Sequence, residues 1–170
     1  MDARDELVAL YSPDGAEVGV ERREVVYRDG LWHAATGVLV RSGDGERVVL
    51  HRRTAGKLVF PGAYDCWAGG VVGPGERPDR AAARELEEEL GVVAPLHPIE
   101  RFPFDQGGLR YHVFTYETRW DGPLRPQPEE VEWAGWVTVE DLRARMADPL
   151  RWPFTPDGRL GAERWLGVSG

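Results

Sequence analysis

The chain carries one cysteine, Cys66, so no intramolecular disulfide can form, which fits a reducing compartment. Lysine is just as scarce: Lys57 stands alone among 21 basic residues, a bias that fits a GC-rich genome better than any arginine-specific role. No apolar run approaches the roughly 18 residues a membrane span requires. The first ten residues, "MDARDELVAL", are acidic and unlike a signal peptide. Positive charge is in deficit too. Twenty-nine acidic residues leave a net charge of -8, which excludes broad electrostatic binding to nucleic acid or anionic membrane. Any phosphate-bearing partner must be met by a local basic patch or by bound cations. These absences together predict a cytoplasmic protein with neither a nucleic-acid nor a membrane partner.

What is present is ordinary for a globular fold. At 170 residues, 42% hydrophobic and 29% charged, the chain is long enough for one domain with a real core. "ELVALYSPDGAEVGV" reads as two strands around a Pro-Asp-Gly turn, and "ERREVVYRDGL" as a short helix or irregular connection. "HAATGVLVRSGDGERVVLHRR" reads as a hairpin, "TAGKLVFPGAY" as a loop, and "DCWAGGVV" as a bent or broken strand. "PIERFPFD", "LRYHVFTYET" and "WAGWVTV" are further strands, with "RWDGPLRPQPEE" as a Pro-rich loop. Thr138 is placed to cap a short helix over "TVEDLRARMA", and the tail ends in a last helix. Mixed strands and helices in one compact chain predict an α/β sandwich.

The best-signalled element is "GPGERPDRAAARELEEELGV", with Pro78 suited to a first helical position and Gly91 to the stop. Its last turns crowd Glu85, Glu87, Glu88 and Glu89 where the helix dipole favours cations. Glu85 and Glu89, four apart, repel by a few tenths of a kcal/mol. At about 100° per residue, Glu85, Glu88 and Glu89 share one face, Glu87 points elsewhere, and Ala83, Leu86 and Leu90 form a neighbouring apolar stripe. Three converging carboxylates suit a hard divalent cation such as Mg²⁺, which is commonly held by carboxylates together with substrate phosphates. On charge alone, a solvated acidic face explains the pattern as well.

The upstream residues decide between these readings. Gly70, five residues, Glu76, seven residues, then Arg84-Glu85-Leu86-x-Glu88-Glu89-x-Gly91-Val92 resembles the Nudix signature at every specified position. The resemblance implies a Nudix-type α/β/α sandwich with a mixed β-sheet, in a single domain over 1–170. Within it, 1–30 is an N-terminal hairpin extension, 70–92 the Nudix box and 148–170 a C-terminal segment. It implies hydrolysis of a diphosphate bond in a nucleoside diphosphate-linked or related small molecule, with Mg²⁺ or Mn²⁺. Glu85, Glu88 and Glu89 become metal ligands, joined by the Gly70 carbonyl, while Arg84 orients Glu85 and pairs with Glu76 to brace the loop. The general base varies in this family; Glu85 is one candidate, and the loop carboxylates Glu129 and Glu130 are the other. Homodimers are frequent in it.

The compact basic cluster "HRRTAGK" offers Arg52, Arg53 and Lys57 as a phosphate clamp. Strand alternation sends the two arginines to opposite faces, so one is structural and the other faces substrate. Beyond the box, the "RR…FPG" segment and "RWPFTP" resemble isopentenyl-diphosphate isomerases and the Nudix hydrolases related to them. That likeness places Trp152 near the pocket. Isomerase chemistry is disfavoured, because Gly69-Gly70-Val71 stands where that family has Cys-Gly-His, and "GGLRYHVF" lacks its glutamate. Cys66 lies three residues too early and suits a small buried position. A non-catalytic ligand sensor is the third reading, though such proteins commonly lose box glutamates that this chain keeps. His33, His51, His97 and His112 have no close metal-ligand spacing.

Overall fold

The computed structural model describes residues 2–167; Met1 and the last three positions of the expected C-terminal segment lie outside the described residues. Among the described residues, strands β1 (Leu7–Tyr11) and β2 (Glu17–Arg22) pair as an antiparallel ribbon, and α1 (Arg23–Asp29) follows. The main sheet is built from β3 (Trp32–Arg41), β4 (Arg47–Arg53), β5 (Tyr64–Asp65), β6 (His97–Gln106), β7 (Leu109–Arg119) and β8 (Val131–Thr138). Its order is β5-β4-β3-β7-β6, with β8 on the other edge of β4. The β3–β7 pair is parallel and the others antiparallel, so the sheet is mixed.

Helix α2 (Pro78–Leu90) packs one face of this sheet. Helices α3 (Val139–Met146) and α4 (Pro156–Trp165) cover the other. Alternation along the strands feeds both layers. Val38, Val40 and Val49 meet Leu86 and Leu90 of α2, whereas Leu39, Val48 and Leu50 meet Leu142 and Ala162. The result is an α/β/α sandwich. No helix among the described residues is long and apolar enough to cross a membrane.

Two local expectations are corrected. β3 and β4 are joined by a tight turn but pair only at Arg41 and Val48. Past that point the Gly-rich segment takes the freed edge of β3, with Val38 bridging Ala68 and Ala35 bridging Val71. Reading a hairpin from two adjacent apolar runs could not reveal this split, because the segment that causes it arrives later in the chain. On α2, Ala81 and Ala82 are buried and Ala83 faces solvent, so the stripe sits one position off.

Candidate active site

The acidic end of α2 is organised by Arg84. Its Nε and Nη2 donate to both oxygens of Glu76 at 2.9 and 2.8 Å, a bidentate fork. Its Nη1 reaches Glu85 at 2.8 Å and Glu88 at 3.4 Å. Glu76 also accepts from the Gly73 amide at 3.1 Å, so one arginine ties the turn before α2 to the helix itself. The guanidinium holds the Glu76 carboxyl below its ordinary range.

The three box carboxylates are not equivalent. Glu88 is exposed, Glu85 is largely buried, and Glu89 is only 4% exposed. Burial outweighs Arg84 and raises the Glu85 carboxyl. Burial, then the charge of Glu85, pushes Glu89 up to about 8. Glu89 accepts one weak bond, from the Gly69 amide at 3.3 Å. A Cβ on Gly70 would stand 2.6 Å from the Glu85 carboxyl carbon, so the glycine makes room for that side chain. The Gly70 carbonyl accepts from the Thr36 amide at 2.9 Å and from the Thr36 hydroxyl at 3.4 Å. Both bonds tie it to β3.

Gly69 and Gly70 line a cleft that is also lined by Arg53, Lys57, Glu129 and Glu130. Lys57 pairs with Glu130, and burial followed by the charge of Arg53 lowers its pKa. Arg53 donates to the Val59 carbonyl at 3.2 and 2.9 Å, holding the loop that carries Lys57. Thr54 reaches across to Glu129 and Glu130 through their carbonyls, at 3.1 and 3.2 Å. The loop carboxylates and the basic loop therefore form one wall.

Two expected contacts are corrected. Arg52 donates to the Gly62 carbonyl at 3.0 Å, meets Glu132 at 3.4 Å and lies over Tyr64, so it faces away from the cleft as strand alternation requires. Trp152 packs edge-on against Tyr64, with Arg145 4.2 Å from its ring centre, and does not line the cleft. Trp67 lines it instead. Cys66 is buried among apolar neighbours, and burial pushes its thiol well up.

The far end of the cleft was not foreseen. Asp65 is buried and accepts from the Trp67 amide at 2.9 Å and the Thr155 hydroxyl at 3.0 Å. Thr155 in turn caps α4 through the Gly158 amide at 3.2 Å. Burial and the neighbouring Asp157 push the Asp65 carboxyl up to about 7. Asp157 and Tyr111 line the same end. Asp65 and Thr155 are ninety positions apart, and no local motif links them; Thr155 was read only within "RWPFTP" of the C-terminal segment.

Among the described residues, no three His, Cys, Asp or Glu side chains are already gathered around one cation position. The donor set nevertheless suits a hard cation. Glu85, Glu88 and Glu89 offer carboxylate oxygens on one helix end, and the buried Glu89 is poorly compensated by its single amide bond.

The α/β/α sandwich thus sets a glutamate-rich helix end beside a Gly-rich cleft. The NUDIX domain family matches residues 31–158, and the chain belongs to that family. It is 47% identical to the uncharacterized Nudix hydrolase orf19 of Rhodococcus erythropolis, covering 94% of this chain and 91% of that one. It is 42% identical to an uncharacterized Nudix hydrolase of Streptomyces coelicolor, covering 100% of this chain and 95% of the relative. Among solved structures, DR0079 of Deinococcus radiodurans superposes with a TM-score of 0.79 at 27% identity, over 94% and 98% of the two chains.

Proposed function

We propose that this chain is a metal-dependent pyrophosphohydrolase that cleaves the diphosphate bond of a nucleoside diphosphate-linked or related small molecule. The observation that carries the reading is the buried Glu89 stacked beside Glu85 at the Gly69–Gly70 wall of a cleft. Like-charged carboxylates are driven into such a position at a cost in stability, and a bound cation removes that cost. Glu85, Glu88 and Glu89 would hold Mg²⁺ or Mn²⁺, which supplies neutralisation of diphosphate oxygens and acidifies the attacking water.

The protein's own groups do the rest. Arg84 fixes the Glu85 carboxylate while its fork to Glu76 holds the turn still. Arg53 and Lys57 present cationic donors to the diphosphate, Lys57 exchanging its Glu130 partner for a phosphate oxygen. Water attacks phosphorus, its oxygen forming the new P–O bond while the bridging P–O bond breaks and the leaving phosphate departs with that electron pair. The released proton goes to a carboxylate, either Glu85 or Glu129 or Glu130 on the facing wall. In this reading the Gly70 backbone serves by leaving room for Glu85, its carbonyl being engaged by β3. The likeness to isopentenyl-diphosphate isomerases supports an outline and not that chemistry, since Trp152 is outside the cleft and Cys66 is sealed in the core.

The test is hydrolysis of a panel of nucleoside diphosphates, dinucleotides, nucleotide sugars and prenyl diphosphates with Mg²⁺ or Mn²⁺, with products identified. Glu89→Gln is expected to lower turnover by about a hundredfold or more. It should also leave the metal-free protein at least as stable at pH 8, because a buried charge is removed. Near-normal turnover by this variant at saturating substrate would overturn the assignment of Glu89.

A further inference from the structure

Helix α2 stops at Gly91, and its last carbonyls need donors from beyond the helix. The Gly91 amide serves Glu87 at 2.9 Å. Glu89 and Leu90 are served from across the molecule, by the Gln127 amide at 2.9 Å and the Arg125 amide at 2.8 Å. Both donors lie in the Pro-rich connection between β7 and β8, whose Leu124 packs against the α2 layer of the core.

The order Arg125-Pro126-Gln127-Pro128 suits this use. A residue followed by proline is held extended, and in an extended segment alternate amides point the same way. Arg125 and Gln127 therefore both face the helix end. Pro126 and Pro128 have no N–H that would point away unpaired. Pro128 then takes the second place of a turn, where its fixed φ is favoured, and the Glu130 amide closes that turn on the Gln127 carbonyl at 3.0 Å. The Val131 amide shares the same carbonyl at 2.8 Å.

Gln127 thus joins both walls of the cleft through its main chain. Its N–H holds the backbone of Glu89, whose side chain reaches the Gly69 amide. Its carbonyl fixes Glu130, whose carboxylate pairs with Lys57 and whose carbonyl accepts from the Thr54 amide at 3.2 Å. The Thr54 carbonyl accepts in turn from the Lys57 amide at 3.4 Å. Burial works against the charge of Lys57 and of Glu89, and across the cleft the two charges support each other. Capping alone would not require that the donor to α2 also begin the turn that carries Glu130.

We propose that Gln127 is a positioning residue whose main chain sets the gap between the α2 carboxylates and Lys57, and with it the affinity for a diphosphate spanning that gap. It acts through Lys57 and touches neither metal nor substrate. The inference rests on the diphosphate-hydrolase reading of the cleft.

The full-length protein is titrated calorimetrically with Mn²⁺ alone, then at saturating Mn²⁺ with methylenediphosphonate, a diphosphate analogue that water cannot cleave. Gln127→Pro deletes the N–H and keeps the carbonyl. It should weaken methylenediphosphonate binding about tenfold and leave the affinity for Mn²⁺ alone unchanged, since α2 keeps its carboxylates. Gln127→Ala keeps the main chain and should bind as wild type does. Lys57→Met should weaken binding by itself yet add no loss to Gln127→Pro, because the lysine there is already out of place. Independent lesions would multiply instead. Thermal melts report folding, and if Gln127→Pro folds poorly, Pro126→Gly with Pro128→Gly frees the same backbone and takes its place.

Unchanged methylenediphosphonate affinity, multiplied losses, no effect of Lys57→Met alone, an equal fall in Mn²⁺ affinity, or the same loss in Gln127→Ala overturns the inference. Failure of wild type to bind methylenediphosphonate with Mn²⁺ sinks the hydrolase reading and the inference together. Wild-type binding that the backbone variants leave intact sinks the inference alone.

Discussion

Asp65 and Glu89 are both buried carboxylates, and only Glu89 was legible in the sequence. Glu89 sits in a spaced motif whose members lie on one helix. Asp65 acquires its meaning from Thr155 and Asp157, which tertiary packing brings to it from the other end of the chain. Its titration has a readable sign. The folded chain holds the Asp65 proton up to about 7, far above the ordinary 3.8, so its contribution to stability is complete at low pH and is lost as pH rises through about 7. His33 and His51 act oppositely. Burial depresses them to about 4 and about 3, so their contribution is complete above 6.5 and lost as pH falls. Asp65→Asn keeps the shape and the acceptor for the Trp67 amide but cannot ionise. The urea midpoint of the variant should therefore gain on wild type between about pH 4 and pH 7 and level off above that. A constant offset across that range would show that Asp65 does not titrate there.

At the scale of elements, α2 was read with its true ends because Pro78 and the left-handed Gly91 are local signals. The hairpin of β3 and β4 is borne out only beside its turn, at Arg41 and Val48, because the rest of the pairing is not local. β3 aligns all ten of its residues with β7, which begins some seventy positions later, and gives its other edge to the segment around Gly69 and Gly70. That segment explains why two adjacent glycines are needed for different reasons. A Cβ on Gly69 would run into the Thr36 carbonyl, which is backbone and cannot step aside. A Cβ on Gly70 would meet the end of the Glu85 side chain, which can. Gly69→Ala is thus expected to cost about 1–3 kcal/mol or more in denaturant melts. Gly70→Ala should melt close to wild type yet lose most of its hydrolysis, because the displaced carboxylate is a proposed metal ligand. Equal stability losses in the two variants would contradict this division of roles.

At the scale of the whole molecule, the domain boundary is the open question that packing answers. The family match begins at residue 31, which makes the first thirty residues look like an appendage. Their burial argues otherwise. Val8, Ala9 and Val26 are fully or almost fully buried, and Tyr11 is 8% exposed. Ala9 and Tyr11 pack with Ala34, Val72 and Ala81, while Val8 and Val26 pack with Val71. The Ala9 amide also donates to the Val72 carbonyl at 3.2 Å, just past the glycines that position Glu85 and Glu89. The same segment delivers Arg23 and Tyr27 to the cleft wall. Removing it would expose apolar surface on β3, on the Gly-rich segment and on α2 at once, and burying a single such side chain is worth about 1.5–3 kcal/mol. Native domains have only about 5–15 kcal/mol in reserve. A chain starting at residue 31 should therefore lose cooperative thermal unfolding and bind a hydrophobic dye such as ANS. If it instead melts cooperatively and hydrolyses diphosphates as the full chain does, the N-terminal ribbon and α1 are a true extension and the cleft is complete without Arg23 and Tyr27.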